Sequence, residues 1–150
     1  MQRRRPNINE ILQWHTSQQI GTKRGLRRKR IETAEKHLRR CLEEVGEGAI
    51  GDASKTMLEL ERQFCGDDVL GRILNAGDLL LVLNRYVREP WLLPDLRDRA
   101  VQLRFADALE SLVLKQHLAM PEEFAMVGTD VFVAIVQAKR ALAVERMRAR

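Results

Sequence analysis

The chain of 150 residues is long enough to bury a core in one domain, and 45% of its residues are hydrophobic. It has no apolar run of about eighteen residues, and its N-terminus leads into no apolar stretch, so neither a membrane-spanning helix nor a secretory signal is expected. The net charge of +5 hides opposed blocks: residues 1–30 carry nine Lys or Arg against one acid, or +8, whereas residues 31–138 carry twelve against nineteen, or −7.

Two helices are predicted in the first 45 residues. Asn7 is a typical N-cap for a short helix that runs to about Gln19 and has its apolar residues on one face, namely Ile8, Ile11 and Leu12. A second helix has apolar residues three and four positions apart, at Ile31, Ala34, Leu38, Cys41, Leu42 and Val45. Extended upstream by the same steps, this face meets Arg27 and Arg24, so the buried stripe is expected to stop at Ile31.

The middle of the chain predicts a central buried helix. A glycine-containing loop is followed by a predicted helix over about 52–66. The next helix is predicted to begin at Asp67 and to end near Glu89, because Pro90 cannot continue it. It includes the run LLLVL at 79–83, which is expected to be buried on most sides.

Two further helices are predicted in the C-terminal half. Pro94 and Asp95 are typical of the start of a helix that stops before Pro121 and turns Val101, Phe105, Ala108, Leu109 and Leu112 inward. Thr129 is expected to cap a final helix with Phe132, Ile135, Ala138 and Leu142 inward. A strand over 131–136 is the alternative, but the helix-forming sequence that follows favours a helix.

These elements predict an all-α fold, an orthogonal or bundle-like domain of about six helices with a basic N-terminal extension. The expected organisation is a basic N-terminal arm and helix over residues 1–30, followed by an all-α helical domain over residues 31–150.

The segment KRGLRRKR, residues 23–30, places six cations in eight residues at the start of the second helix. Concentrated Lys and Arg is the electrostatic signature of a polyanionic partner such as DNA, RNA or an anionic membrane surface. A solvated helix face or a disordered tail is the simpler explanation, and a nuclear or mitochondrial targeting signal is another. The segment therefore indicates a class of partner and leaves these alternatives open.

No catalytic, metal or cofactor site is predicted. His37 and Cys41 are four residues apart on one helix, but they lack the second ligand pair that a zinc site needs. Phosphate-binding loops and nucleophile-elbow motifs do not occur in the sequence. Cys41 and Cys65 both lie on apolar stripes and fit the buried, reduced thiols of an intracellular protein. The protein is expected to be non-enzymatic.

Sequence-specific DNA recognition is not favoured either. The nearest match to a helix-turn-helix spans residues 70–86, but its second helix presents leucine and valine where base readout needs polar side chains. Phosphate contacts need only Lys and Arg, so they remain possible. Trp14 is a candidate to stack on an unpaired base, although a tryptophan at the edge of an apolar stripe also fits simple packing.

The sequence therefore predicts a cytoplasmic protein, or a nuclear or mitochondrial one in a eukaryote, that binds the backbone of DNA or RNA independently of sequence. All-helical proteins of this size with basic surfaces recur as subunits of nucleoprotein complexes, so protein subunits of a larger assembly are also expected partners. The alternative is a helical adaptor or assembly subunit that docks an acidic protein surface through its basic segment. The candidate nucleic-acid-binding residues are Arg3, Arg4, Arg5, Trp14, Lys23, Arg24, Arg27, Arg28, Lys29, Arg30, Lys139, Arg140 and Arg146, with Arg148 and Arg150 extending the last patch.

Overall fold

The fold is all-α, as the sequence predicted. The computed structural model describes residues 6–46, 74–119 and 124–149, together with residues 56, 59, 60, 62, 63, 70 and 122. Over these residues there is no strand, and five α-helices are defined: α1 (Ile8–Ile20), α2 (Leu26–Val45), α3 (Ala76–Tyr86), α4 (Leu96–Lys115) and α5 (Thr129–Arg148). A π-helical turn, Phe124–Gly128, leads directly into α5.

The predicted total of about six helices is not confirmed. Most of the helix predicted over 52–66 lies outside the described residues, as does the first part of the helix predicted from Asp67. None of the helices in the described ranges is long and apolar enough to cross a membrane.

α3 is the central helix, as predicted. It packs against all four other helices and against the π-helical turn. Four of its five residues in the run 79–83 are buried, whereas Leu81 is 42% exposed, because five consecutive helical positions cannot all face inward. α3 begins at Ala76, so the helix predicted from Asp67 is interrupted there. The interruption is a capping box, in which Asn75 Oδ1 accepts from the Asp78 N–H and Asp78 Oδ2 accepts from the Asn75 N–H, both at 3.1 Å.

α1 belongs to the core, and a basic N-terminal extension is therefore not confirmed. Asn7 caps α1 as predicted, because its Oδ1 accepts from the backbone N–H of Glu10 at 2.9 Å. The apolar side chains Ile8, Ile11 and Leu12 are buried, and α1 packs against α2 and α3. The division of the chain after residue 30 stays a prediction.

The buried face of α2 agrees with the predicted stripe, and that of α4 agrees only in part. In α2 the residues Ile31, Ala34, Leu38, Cys41 and Leu42 are buried. In α4 Phe105 and Leu109 are buried as predicted, whereas the other predicted positions, Val101, Ala108 and Leu112, are only half buried. Their places are taken by Leu103, Ala106 and Val113.

Gln102 explains why the buried face of α4 differs from the predicted one. Its side chain is fully buried, and its Nε2 donates to the carbonyl oxygens of Tyr86 at 3.0 Å and Trp91 at 2.9 Å. Its Oε1 accepts from the backbone N–H of Leu93 at 2.9 Å. Because a buried amide must be hydrogen-bonded, these contacts hold α4 with the Gln102 side facing inward.

α5 also differs in part from its prediction. Ile135, Ala138 and Leu142 are buried, but Phe132 is exposed, and Val131 takes its place in the inward stripe. Thr129 is not an N-cap, because the helical backbone continues into α5 from the π-helical turn. Its hydroxyl instead donates to the carbonyl oxygen of Ala125 at 3.4 Å.

The central position of α3 is testable with two leucines of the same helix. We expect Leu83→Ala to lower the free energy of unfolding by about 2–5 kcal/mol, because Leu83 is fully buried. Leu81→Ala is the matched control and should cost less than about 1 kcal/mol, because that side chain is partly exposed. Urea denaturation measures both, and equal losses would contradict the orientation of α3.

A second pair of variants tests whether α1 is part of the core. Leu12→Ala should cost about 2–5 kcal/mol, since Leu12 is fully buried. Trp14→Ala, two residues away on an exposed face, should change the stability by about 0.5 kcal/mol or less. If Leu12→Ala is as mild as Trp14→Ala in thermal and urea unfolding, α1 is not an integral part of the core.

Candidate nucleic-acid interface

A groove with a volume of about 670 Å³ lies between the N-terminal part of α2 and the outer face of α4. Its apolar lining is Ile31, Ala100, Val101 and Phe105. Its polar lining consists of Gln19 and six cations, Lys23, Arg27, Arg30, Arg97, Arg104 and Arg146. We call this feature the cationic groove.

The turn between α1 and α2 forms one end of the cationic groove. Gly21 and Gly25 have φ of 48° and 65°, in the left-handed region that glycine adopts without strain. Between them, Lys23 lines the groove and its Nζ donates to the carbonyl oxygen of Gln19 at 2.9 Å, at the C-terminal end of α1. The turn therefore places a cation at the groove and helps to end α1 at the same time.

The first turn of α2 carries cations where a helix favours acids. Its N-cap is Gly25, which provides no side-chain hydrogen bond, and the first turn has no acidic residue. Arg27, Arg28 and Lys29 lie there instead, although the positive end of the helix dipole disfavours cations. Among these three, Arg28 alone has a salt bridge with a described residue, with its Nε 2.7 Å from Glu32 Oε1. Helix stability therefore does not explain this cluster.

The opposite wall of the groove is the outer face of α4. Arg97 and Arg104 are seven residues apart, so they lie two turns apart on the same face, with Ala100 and Val101 between them. The helix begins at its N-cap Asp95, whose Oδ1 accepts from the Asp98 N–H at 2.9 Å. Because Gln102 is buried in the core, the face of α4 that carries Arg97 and Arg104 lines the groove.

The charge of the groove is only partly balanced. Arg30 Nε lies 3.4 Å from Asp98 Oδ1. The backbone N–H of Asp98 and, more weakly, the nearby Arg30 and Arg97 hold the pKa of Asp95 below its ordinary value. Within the described ranges, no salt bridge is formed by the three remaining arginines of the groove, Arg27, Arg104 and Arg146. The groove is therefore cationic after its local acids are counted.

His15 in α1 packs against Phe105, one of the residues that line the groove. Its ring meets the ring of Phe105 edge to face, with centroids 4.7 Å apart, and its Nε2 donates to the Phe105 carbonyl oxygen at 3.1 Å. Burial lowers the pKa of His15 below its ordinary value, against the opposing effects of that hydrogen bond and of Glu35. A neutral imidazole thus joins α1 to the apolar lining of the groove.

The structure brings together four of the residues that the sequence proposed, Lys23, Arg27, Arg30 and Arg146. Lys139 does not line the groove, because its Nζ pairs with Asp107 Oδ2 at 2.6 Å. Arg28 is paired with Glu32, and three further candidates are exposed outside the groove, namely Arg24, Lys29 and Arg140.

Two sets of candidates remain. Trp14 is 52% exposed and is not part of the lining, so the groove itself has no stacking role for it. Arg3, Arg4, Arg5 and Arg150 lie outside the described residues, and Arg148 is exposed near the end of α5.

Arg97 and Arg104 were missed by sequence reasoning. The signal that could have found them is their seven-residue spacing with small or apolar residues between them. It was hidden because α4 and its cap also contain Asp95, Asp98 and Asp107, which make the segment appear balanced in charge.

His37 has a structural hydrogen-bond partner, and Cys41 is buried as a free thiol. His37 Nε2 donates to the Trp91 carbonyl oxygen at 2.6 Å, and burial raises the pKa of the Cys41 thiol to about 12. In the part of the chain that the structure describes, no three side chains of His, Cys, Asp or Glu are grouped so that they could hold a metal ion.

No known protein family matches this chain, and neither a curated protein nor a solved structure is detectably similar to it. The function must therefore be inferred from the groove itself.

The pH dependence of stability tests the role of His15. Because the folded-state pKa of His15 is below 6.5, the unfolded chain binds a proton there more readily than the folded chain. Stabilisation by His15 is therefore complete above that pH and is lost as the pH falls below it. We expect the difference in free energy of unfolding between wild type and His15→Gln to shrink as the pH falls from about 7.5 to about 5.5.

Comparison of the wild type with the His15→Gln variant also removes the opposing effect of Glu110 on the pH dependence of stability. Glu110 acts in the opposite direction, because burial raises its pKa to about 7, but it is present in both proteins and cancels in the difference. A difference that stays constant or grows toward pH 5.5 would contradict a buried, neutral His15.

Proposed function

We propose that the protein binds the phosphate backbone of nucleic acid in the cationic groove, independently of base sequence and without catalysing a reaction. The observation that supports this most strongly is the convergence of six cations from three separate stretches of the chain, residues 23–30, 97–104 and 146, on one concave surface. Arginine suits the task because its planar guanidinium donates two parallel hydrogen bonds to a phosphate. Five of the six cations are arginines.

The lining of the groove favours backbone contacts over base readout. Apart from the cations, Gln19 is the only polar side chain among the described residues that line it, and Ile31, Ala100, Val101 and Phe105 offer no hydrogen bonds from their side chains. Base recognition needs a pattern of polar donors and acceptors, whereas phosphate contacts need positive charge alone. Binding should therefore be strong at low salt and similar for unrelated sequences.

The role of subunit in a larger assembly is a second part of the proposal. The outer face of α5 exposes four large apolar side chains, Phe132, Val133, Val144 and Met147. Apolar patches of this kind mark contacts with other proteins when they are contiguous. This face supports a protein subunit as an additional partner, apart from the groove.

The alternative is that the groove docks an acidic protein surface, since arginine also pairs with carboxylates. Salt weakens both kinds of binding, so ionic strength does not separate them. Competition does. Nucleic acid of unrelated sequence should displace a labelled oligonucleotide from the groove, whereas poly-glutamate should displace it only at a much higher concentration of charge.

The proposed function predicts the behaviour of a quadruple variant, Arg27→Gln, Arg97→Gln, Arg104→Gln and Arg146→Gln. All four side chains are exposed and line the groove. Binding should weaken for all sequences alike, and the slope of log affinity against log salt should flatten by about 0.7–0.9 for each phosphate that the variant no longer neutralises, or about 3 in total. Electrophoretic shift or fluorescence polarisation over a salt series measures both quantities.

A matched control removes the same charge elsewhere. The variant Lys36→Gln, Arg40→Gln, Arg85→Gln and Lys115→Gln changes four exposed cations that do not line the groove. It should keep most of the affinity and salt slope of the wild type, and both variants should unfold close to the wild type, since exposed sites contribute little to stability. Equal effects of the two variants on binding would mean that net charge, and not the groove, holds the ligand.

A further inference from the structure

We infer that the cationic groove binds one single strand of nucleic acid in preference to the double helix. This inference rests on the proposed function and narrows it to a class of substrate. It follows from three properties of the groove: cations on two facing walls, a small volume and an apolar lining.

The cations come from both sides of the groove. Arg27 and Arg30 belong to α2, whereas Arg97 and Arg104 belong to α4, and the two helices pack against each other. A phosphodiester backbone inside the groove is therefore contacted from two sides. A strand within a double helix offers mainly its outer side to a protein, because its other side carries the paired bases.

The volume fits a short stretch of one strand. Ligand-binding clefts and cavities in proteins measure about 300–1,000 Å³, and the groove, at about 670 Å³, lies within that range. In a duplex the two backbones are separated by grooves about 12 Å and about 6 Å wide, so the double helix as a whole spans far more than this space. A single strand enters without unpairing, which makes it the favoured ligand.

The apolar lining gives a single strand a further contact that a duplex lacks. Ala100 and Val101 lie among the cations, are only half buried and offer surface to sugars and to the faces of unpaired bases, whereas Ile31 is buried. Phe105, the one aromatic side chain in the described part of the lining, is buried with its ring against His15, so it does not serve as an exposed stacking platform. Proteins that bind single strands usually add such stacking to a cationic groove. Without it in the groove, oligo(dT) and oligo(dA) should bind with similar affinity.

The experiment compares two labelled ligands with equal numbers of phosphates, oligo(dT) and a mixed-sequence duplex, by fluorescence polarisation with the full chain. We expect the single strand to bind at least about tenfold more tightly than the duplex, or about 1.4 kcal/mol. The variant with four groove arginines changed to glutamine should lose this preference. The control variant with Lys36, Arg40, Arg85 and Lys115 changed should keep it. Inorganic triphosphate, added as a competitor at equal phosphate concentration, should compete poorly.

The outcomes separate this inference from the proposed function. If the duplex binds as tightly as oligo(dT) and the groove variant weakens both, the groove binds nucleic acid but does not select a single strand, and the inference is overturned. If the groove variant and the control variant have the same affinity for oligo(dT), and also the same affinity for the duplex, the proposed function fails as well. Strong competition by triphosphate would also overturn the inference, because the groove would then be a site for compact anions.

Discussion

The packing of α2 against α4 is the contact on which the cationic groove depends. It brings Arg27 and Arg30 of α2 and Arg97 and Arg104 of α4 to opposite walls of one concavity. Like charges at this proximity repel one another, and water and counterions screen the repulsion only in part. Burial of Ile31 and Phe105 in the common core offsets that cost in the free chain. A polyanion in the groove would relieve it, and this physical argument underlies the proposed function.

The orientation of α4 depends on a buried polar cluster rather than on apolar periodicity alone. Gln102 joins α4 to the end of α3 and to the following loop, and Tyr86 donates its hydroxyl hydrogen to the carbonyl oxygen of Ala34 in α2 at 2.8 Å. Arg99 adds a hydrogen bond from its Nε to the Leu93 carbonyl oxygen at 2.7 Å. These contacts leave Arg97 and Arg104 on the side of α4 that lines the groove.

Local signals in the sequence predicted the all-α class and several of the helices, but not every cap. Asn7 caps α1 as predicted, and Asp95, predicted at the start of its helix, is the N-cap of α4, because capping needs only residues within one turn. Thr129 was also expected to be a cap, and it is not one. The partners of the basic segment were not predictable in this way, since Arg97 and Arg104 reach it only through tertiary packing. Phe132 shows the same limit: which of two adjacent apolar residues faces inward depends on how α5 packs against its neighbours. Of the cationic segment, Lys23, Arg27 and Arg30 line the groove, but their neighbours across it were not predicted.

The most direct test of a nucleic-acid-binding groove is to map where the ligand lies. Backbone amide resonances of the isotopically labelled protein would be followed by two-dimensional NMR during titration with oligo(dT). We expect the largest shifts in three separate stretches, the turn and first turns of α2, the first half of α4, and the end of α5 near Arg146. Largest shifts on α3, or around the exposed Lys36 and Arg40 with the groove unchanged, would contradict the account.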